Sequence, residues 1–140
     1  MKKLLALFII SFFFVDLSAQ SNSLDSAWIR DHYTKQEHMV PMRDGVRLYT
    51  AVYTPKDTSE AHPFLLRRTP YSSAPYGPGA WPDFAASYHR LYFRENYIIV
   101  LQDVRGKFMS EGEFVDVRPY NQTKSGRETD EASDTYDAVD

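Results

Sequence analysis

The sequence predicts an α/β fold, with a β-hairpin leading into strand–helix–strand of a mostly parallel sheet. Three observations carry this expectation. Two β-like runs flank an Asp-Gly pair at Asp44-Gly45. A later stretch places apolar residues at helical spacing. Tyr97 to Leu101 then forms an unbroken apolar run of the kind that suits a strand buried on both faces.

The elements follow in order. Ser21 to Tyr33 begins polar and turns mixed, which reads as a linker running into a short helix with Trp28 and Ile29 as packing residues. Gln36 to Met42 is β-like and stops at Arg43-Asp44-Gly45, where glycine supplies the positive φ of a tight turn. Val46 to Thr54 alternates, with Val46, Leu48, Thr50 and Val52 opposite Arg47, Tyr49, Ala51 and Tyr53. Pro55 closes this strand because it cannot donate to a ladder. Lys56 to His62 is polar, and Phe64-Leu65-Leu66 opens a third strand ending near Thr69-Pro70.

Tyr71 to Pro82 is dense in proline, glycine and serine and reads as a long loop. Asp83 is placed to cap a helix through about Asn96, with Phe84, Tyr88, Leu91 and Tyr92 at helical spacing. After the apolar fourth strand comes a loop to about Gly126. Thr129 to Asp140 reads as a helix with Ala132, Tyr136 and Val139 on one face. Asp130 and Glu131 sit where they complement the dipole of its first turn.

Composition bounds the function. At 140 residues, 43% hydrophobic and 15% aromatic, the chain has the makings of one packed domain rather than a disordered segment. A net charge of -3 without a basic run gives no footprint for nucleic acid. The absence of cysteine excludes disulfides, thiolate metal sites, a cysteine nucleophile and a lipoprotein anchor. Residues 1–20 read as a secretory signal. Lys2 and Lys3 precede the apolar stretch Leu4 to Val15, and Leu17-Ser18-Ala19-Gln20 makes a cleavable end. That stretch is short of the roughly 20 residues that span a bilayer, so no stable membrane anchor is expected. The division is then 1–20 signal, 21–34 linker or short helix, and 35–140 folded.

Four motifs carry more than periodicity: Val40-Pro41-Met42-Arg43-Asp44-Gly45-Val46-Arg47-Leu48; Arg68-Thr69-Pro70-Tyr71; Gln102-Asp103-Val104-Arg105-Gly106 with Ser110-Glu111-Gly112-Glu113-Phe114; and Asp130-Glu131 with Asp134-Thr135-Tyr136-Asp137. Singly each is weak. In this order the series resembles the opening of the cocaine-esterase-like and Xaa-Pro dipeptidyl-peptidase-like hydrolases, above all the α-amino acid ester hydrolases and glutaryl acylases.

The resemblance covers about residues 36 to 140. It implies the N-terminal part of an α/β-hydrolase fold, cleaving ester, amide or peptidyl bonds of small substrates without a cofactor. It also implies a Ser…Asp…His triad in that chain order, with the serine on a Gly-x-Ser-x-Gly elbow after a fifth strand. No such motif occurs in the 140 residues, so the expected segment is truncated before the nucleophile elbow and inactive alone. A fifth strand would flank the third, so its absence leaves an interior strand edge that invites aggregation.

Tyr71 is the candidate catalytic residue. Acyl transfer develops negative charge on the carbonyl oxygen, and fixed donors aimed there are usually the largest catalytic term. In the α/β-hydrolase plan one donor follows the third strand, where Tyr71 lies behind Pro70. The resemblance implies an oxyanion-hole role; an ordinary loop aromatic is the plainer alternative.

Ser110 has a glycine two residues on, but Phe108 stands where an elbow needs its first glycine. The loop Asp103 to Gly112 reads as structural, with Asp103 and Arg105 paired, or else as a rim of the site. His32, His38, His62 and His89 lack metal-pair spacing and precede the missing nucleophile. The carboxylates Glu128, Asp130, Glu131, Asp134, Asp137 and Asp140 lack calcium-loop spacing and read as a solvated helix face. Substrate-binding residues stay unassigned. A non-catalytic secreted module binding a small apolar ligand at the aromatic loop Ser72 to Pro82 is the alternative function.

Overall fold

The computed structural model describes residues 25–140, so the signal reading for residues 1–20 lies outside the described residues. Helix α1 (Ser26–His32) starts at Asp25, whose carboxylate accepts from the Trp28 amide at 2.7 Å. Lys56 donates to the Asp31 carbonyl at 2.6 Å and so meets the negative end of this short helix.

Strands β1 (Tyr33–Pro41) and β2 (Arg47–Pro55) pair antiparallel along their whole length, from Tyr33 opposite Pro55 to Pro41 opposite Arg47. The hairpin expected from Asp44-Gly45 is present. Gly45 takes φ +90° and donates to the Met42 carbonyl at 2.8 Å, while Asp44 accepts from the Val46 amide at 3.1 Å.

Strands β3 (Phe64–Thr69) and β4 (Ile98–Asp103) complete a four-stranded sheet in the order β1-β2-β4-β3. Only β3–β4 is parallel; β4 meets β2 antiparallel. Among the described residues the sheet is therefore mixed rather than mostly parallel, because the hairpin supplies its inner strand in the opposite sense. β3 stands at one end of the sheet, with its outer edge unpaired among the described strands.

The two faces of the sheet differ. Tyr49, Ala51, Tyr53, Ile99 and Leu101 point into an aromatic core with Ile29, Tyr33, Phe84 and Phe93. Phe84 meets Tyr53 at 4.8 Å edge-on and Phe93 at 4.7 Å, and such ring pairs contribute about 0.5–1.5 kcal/mol beyond their buried area. The opposite face carries Val40, Val52, Leu66 and Val100, which line an open cavity of about 250 Å³ bordered by Ala138 and Val139.

The helix expected from Asp83 to Asn96 is much shorter: α2 spans only Arg90–Arg94. Asp83 does accept from the Ala86 amide at 3.3 Å, but Ser87 then interrupts. Its hydroxyl accepts from the His89 amide at 3.2 Å and donates to the Phe84 carbonyl at 3.1 Å, local bonds that compete with the helical ladder. The apolar face is displaced as a result. Tyr88 and Leu91 are exposed, and Phe93 is buried in their place. Asn96, at φ +54°, ends the helix.

Helix α3 (Glu131–Val139) begins in a capping box in which Asp130 and Ser133 bond each other's amides. Its buried side is the reverse of the one expected. Tyr136 and Val139 are exposed, whereas Ser133 and Asp134 are buried. Glu128 and Asp140 are exposed as expected, but Asp130, Glu131, Asp134 and Asp137 are not a solvated face, because cations meet them. Arg105 grips Asp134 with two nitrogens, at 2.6 and 3.0 Å, and Asp44 with a third at 2.6 Å. Arg43 pairs with Asp137 at 2.7 Å. The Lys124 ammonium, 2.7 Å away, and the Asn121 amide hold the Asp130 carboxyl well below the usual range.

Candidate active site

Parallel strands β3 and β4 end together, with Thr69 in register with Asp103. Loops leave the sheet at this end, where open α/β sheets bind ligands. Tyr71 lies two residues past the end of β3. Its amide donates to the Thr69 hydroxyl at 3.0 Å, its side chain is exposed, and no described residue bonds its hydroxyl. The next residue, Ser72, has φ +84°, a conformation L-residues other than Asn and Asp rarely adopt.

Three buried or half-buried charges hold the loop from beneath. Asp103 is fully buried and accepts from the Ser73 amide at 2.7 Å, the Tyr76 hydroxyl at 2.9 Å and the Met109 amide at 3.3 Å. Tyr76 and Ser72 share a hydrogen bond of 2.8 Å, and Ser72 accepts from the Ala74 amide at 3.0 Å. Further along, the fully enclosed Lys35 ammonium donates to the carbonyls of Pro75, Gly77 and Ala80 at 3.0, 2.9 and 2.7 Å. It also pairs with Glu37 at 2.7 Å, and Glu37 accepts from the Tyr49 hydroxyl and the Gly77 amide. Burial by itself would raise the Glu37 carboxyl, yet the Lys35 and Tyr49 bonds outweigh it and keep the carboxyl low.

Asp103 and Arg105 are not partners. Asp103 bonds neutral donors, and Arg105 turns away to Asp44 and Asp134. Ser110 is occupied structurally: its hydroxyl donates to the Asp103 carbonyl at 2.6 Å and accepts from the Tyr49 amide at 2.9 Å. Gly106 is required where it stands, since a Cβ there would lie 2.1 Å from the Phe114 amide nitrogen.

Beside the loop lies a cavity of about 160 Å³ lined by Arg67, Ser72, Ser73, Phe84, Tyr88 and His89, among others. His89 is the one histidine in the core, and burial followed by the Arg67 charge lowers its pKa. The Nε2 atom of His89 and the hydroxyl of Ser73 have no hydrogen-bond partner among the described residues. The described residues contain no cluster of three or more His, Cys, Asp or Glu side chains placed to hold a metal.

Sequence reasoning singled out Tyr71 and reached Tyr76 only as part of the aromatic loop Ser72 to Pro82; it missed Asp103 as a loop anchor, and missed Lys35 and Glu37. A signal existed for the last two. Lys35 and Glu37 alternate on the face of β1 that Tyr33 shares, so both charges point toward an aromatic core and need partners there.

Comparison with known proteins accords with this geometry. Cocaine esterase of Rhodococcus sp. (strain MB1 Bresler) is 46% identical over 77 residues, 55% of this chain and 13% of that enzyme. An α-amino acid ester hydrolase structure superposes with a TM-score of 0.62 and 32% identity, covering 93% of this chain and 21% of that one. An aminopeptidase from a marine sediment Thaumarchaeota archaeon gives a TM-score of 0.59 and 34% identity over 77% of this chain and 18% of its own. The chain thus spans less than a quarter of each relative's length, and these neighbours are hydrolases of α/β type. Residues 44–140 match the X-Pro dipeptidyl-peptidase (S15 family) profile, and the chain belongs to that family of hydrolases.

Proposed function

We propose that this chain is the N-terminal part of an exported serine hydrolase of ester or amide bonds, and that Tyr71 supplies an oxyanion-hole donor. A serine from outside these 140 residues attacks the substrate carbonyl carbon, and the carbonyl oxygen takes up the negative charge. The Tyr71 phenol donates a hydrogen bond to that oxygen. A histidine, also outside these residues, takes the serine proton and passes it to the leaving group. Folded alone, the 140 residues carry no nucleophile elbow and would not turn over.

One observation carries this reading. The Tyr71 side chain is 84% exposed at the ligand-binding end of the parallel pair, on a loop anchored to buried charges. The anchored backbone gives a donor carried on this loop a set starting point at the site, where an oxyanion would need one. The test is Tyr71→Phe in the full-length protein, assayed on a p-nitrophenyl ester. Loss of the hydroxyl should lower kcat about 100- to 1000-fold with KM little changed. Undiminished kcat would end the reading. Export rests on residues 1–20, and N-terminal sequencing of the secreted protein should find a start near Gln20 or Ser21.

A further inference from the structure

We infer that Asp103, Tyr76 and Ser72 form a hydroxyl relay that fixes the backbone beside Tyr71 and so aims its phenol. The inference rests on the oxyanion role proposed above. The polarity of the relay follows from donor chemistry. An ionised carboxylate only accepts, so the Tyr76 hydroxyl must give its hydrogen to Asp103 at 2.9 Å. Tyr76 can then only accept from Ser72, at 2.8 Å. Ser72, having given its own hydrogen away, accepts from the Ala74 amide at 3.0 Å. Each group has one assignable role.

The relay ends at a strained residue. Ser72 holds φ +84° without being glycine, and strain of this kind persists only where surroundings over-determine it. Here the surroundings are its own hydroxyl, bonded on both sides, and the next amide, Ser73, pinned to the same carboxylate at 2.7 Å. The residue before it is Tyr71. No described residue bonds the exposed phenol, so the backbone decides the direction in which the Tyr71 Cα–Cβ bond leaves and with it the region the phenol can reach. Asp103, Tyr76 and Ser72 are thus positioning residues.

Tyr76→Phe in the full-length protein is the cleanest probe. It removes the relay's middle hydroxyl but keeps the ring, which packs edge-on to Tyr49 at 5.0 Å. A misplacement on the ångström scale costs up to about 100-fold in rate, so kcat should fall about 10- to 100-fold with KM within about twofold. Ser72→Gly, which tolerates positive φ but lacks the hydroxyl, should show a loss of the same size. The deciding measurement is non-additivity. In a Tyr71→Phe background, Tyr76→Phe should cost less than about twofold further, because there is no phenol hydroxyl left to aim. Unchanged kcat in Tyr76→Phe, or losses that multiply in the double variant, would overturn the relay. Unchanged kcat in Tyr71→Phe alone would instead overturn the oxyanion role, so the two failures are distinguishable.

Discussion

The regions around Asp103 and Asp134 each bury a carboxylate completely, and they do so by opposite means. Asp134 lies among cations: Arg105 at 2.6 Å, with Arg68 and Arg118 at 3.5 and 3.9 Å. Asp103 bonds two backbone amides and a phenol, and no described ion pair involves it. Charge neutralisation suits a junction, because an ion pair tolerates small shifts and joins elements far apart in sequence. Satisfaction by oriented dipoles suits a template, since each amide must point at the carboxylate. One region holds the molecule together, and the other shapes a loop.

That contrast can be broken at three places, in descending order of effect. Arg105→Ala should be the most damaging, because it removes both short bonds to the buried Asp134, leaving it only the longer contacts to Arg68 and Arg118, and takes the cation from Asp44. Breaking a buried pair in this way costs about 3–5 kcal/mol, readable as a lowered urea midpoint in the full-length protein. Asp103→Asn should cost less, about 1–3 kcal/mol, since the amide keeps one acceptor oxygen and loses the other. If it destabilised as much as Arg105→Ala, Asp103 would be a junction like Asp134. The smallest effect should appear with acid. The Asp137 carboxyl is held low by the Arg43 bond, and Asp130 by Lys124. A depressed folded pKa gives stability that is fully present above the unfolded value. It is therefore lost as pH falls below about 4. Asp137→Asn should make this acid limb shallower while leaving the Tyr71 loop, probed by protease cleavage, as resistant as before.

The division between what the sequence revealed and what it hid follows the range of the interactions. The hairpin was legible because Asp44-Gly45 and the alternation of β2 are local. The apolar run Ile98 to Leu101 announced β4 for the same reason. The long helix at 83–96 was misread because apolar spacing says nothing of a Ser87 hydroxyl bonding its neighbours' backbone. The outward face of α3 was misjudged because the guanidiniums that bury its acids come from Arg43, Arg68 and Arg105. Tyr71 could be placed after β3 by motif. The Asp103 contacts could not, since two of its three donors are backbone amides, which every residue except proline possesses.

Arg105 also bears on how the chain is assembled during synthesis. Its guanidinium must find Asp44, made 61 positions earlier, and Asp134, made 29 positions later. An ion of this kind does not leave water with only half its acceptors in place. The hairpin can form as soon as it emerges, but the β4 end should stay hydrated until α3 arrives to cover it. On the ribosome, this junction is therefore expected to close only after α3 has emerged, making α3 the segment whose translation commits the preceding strands to their packing.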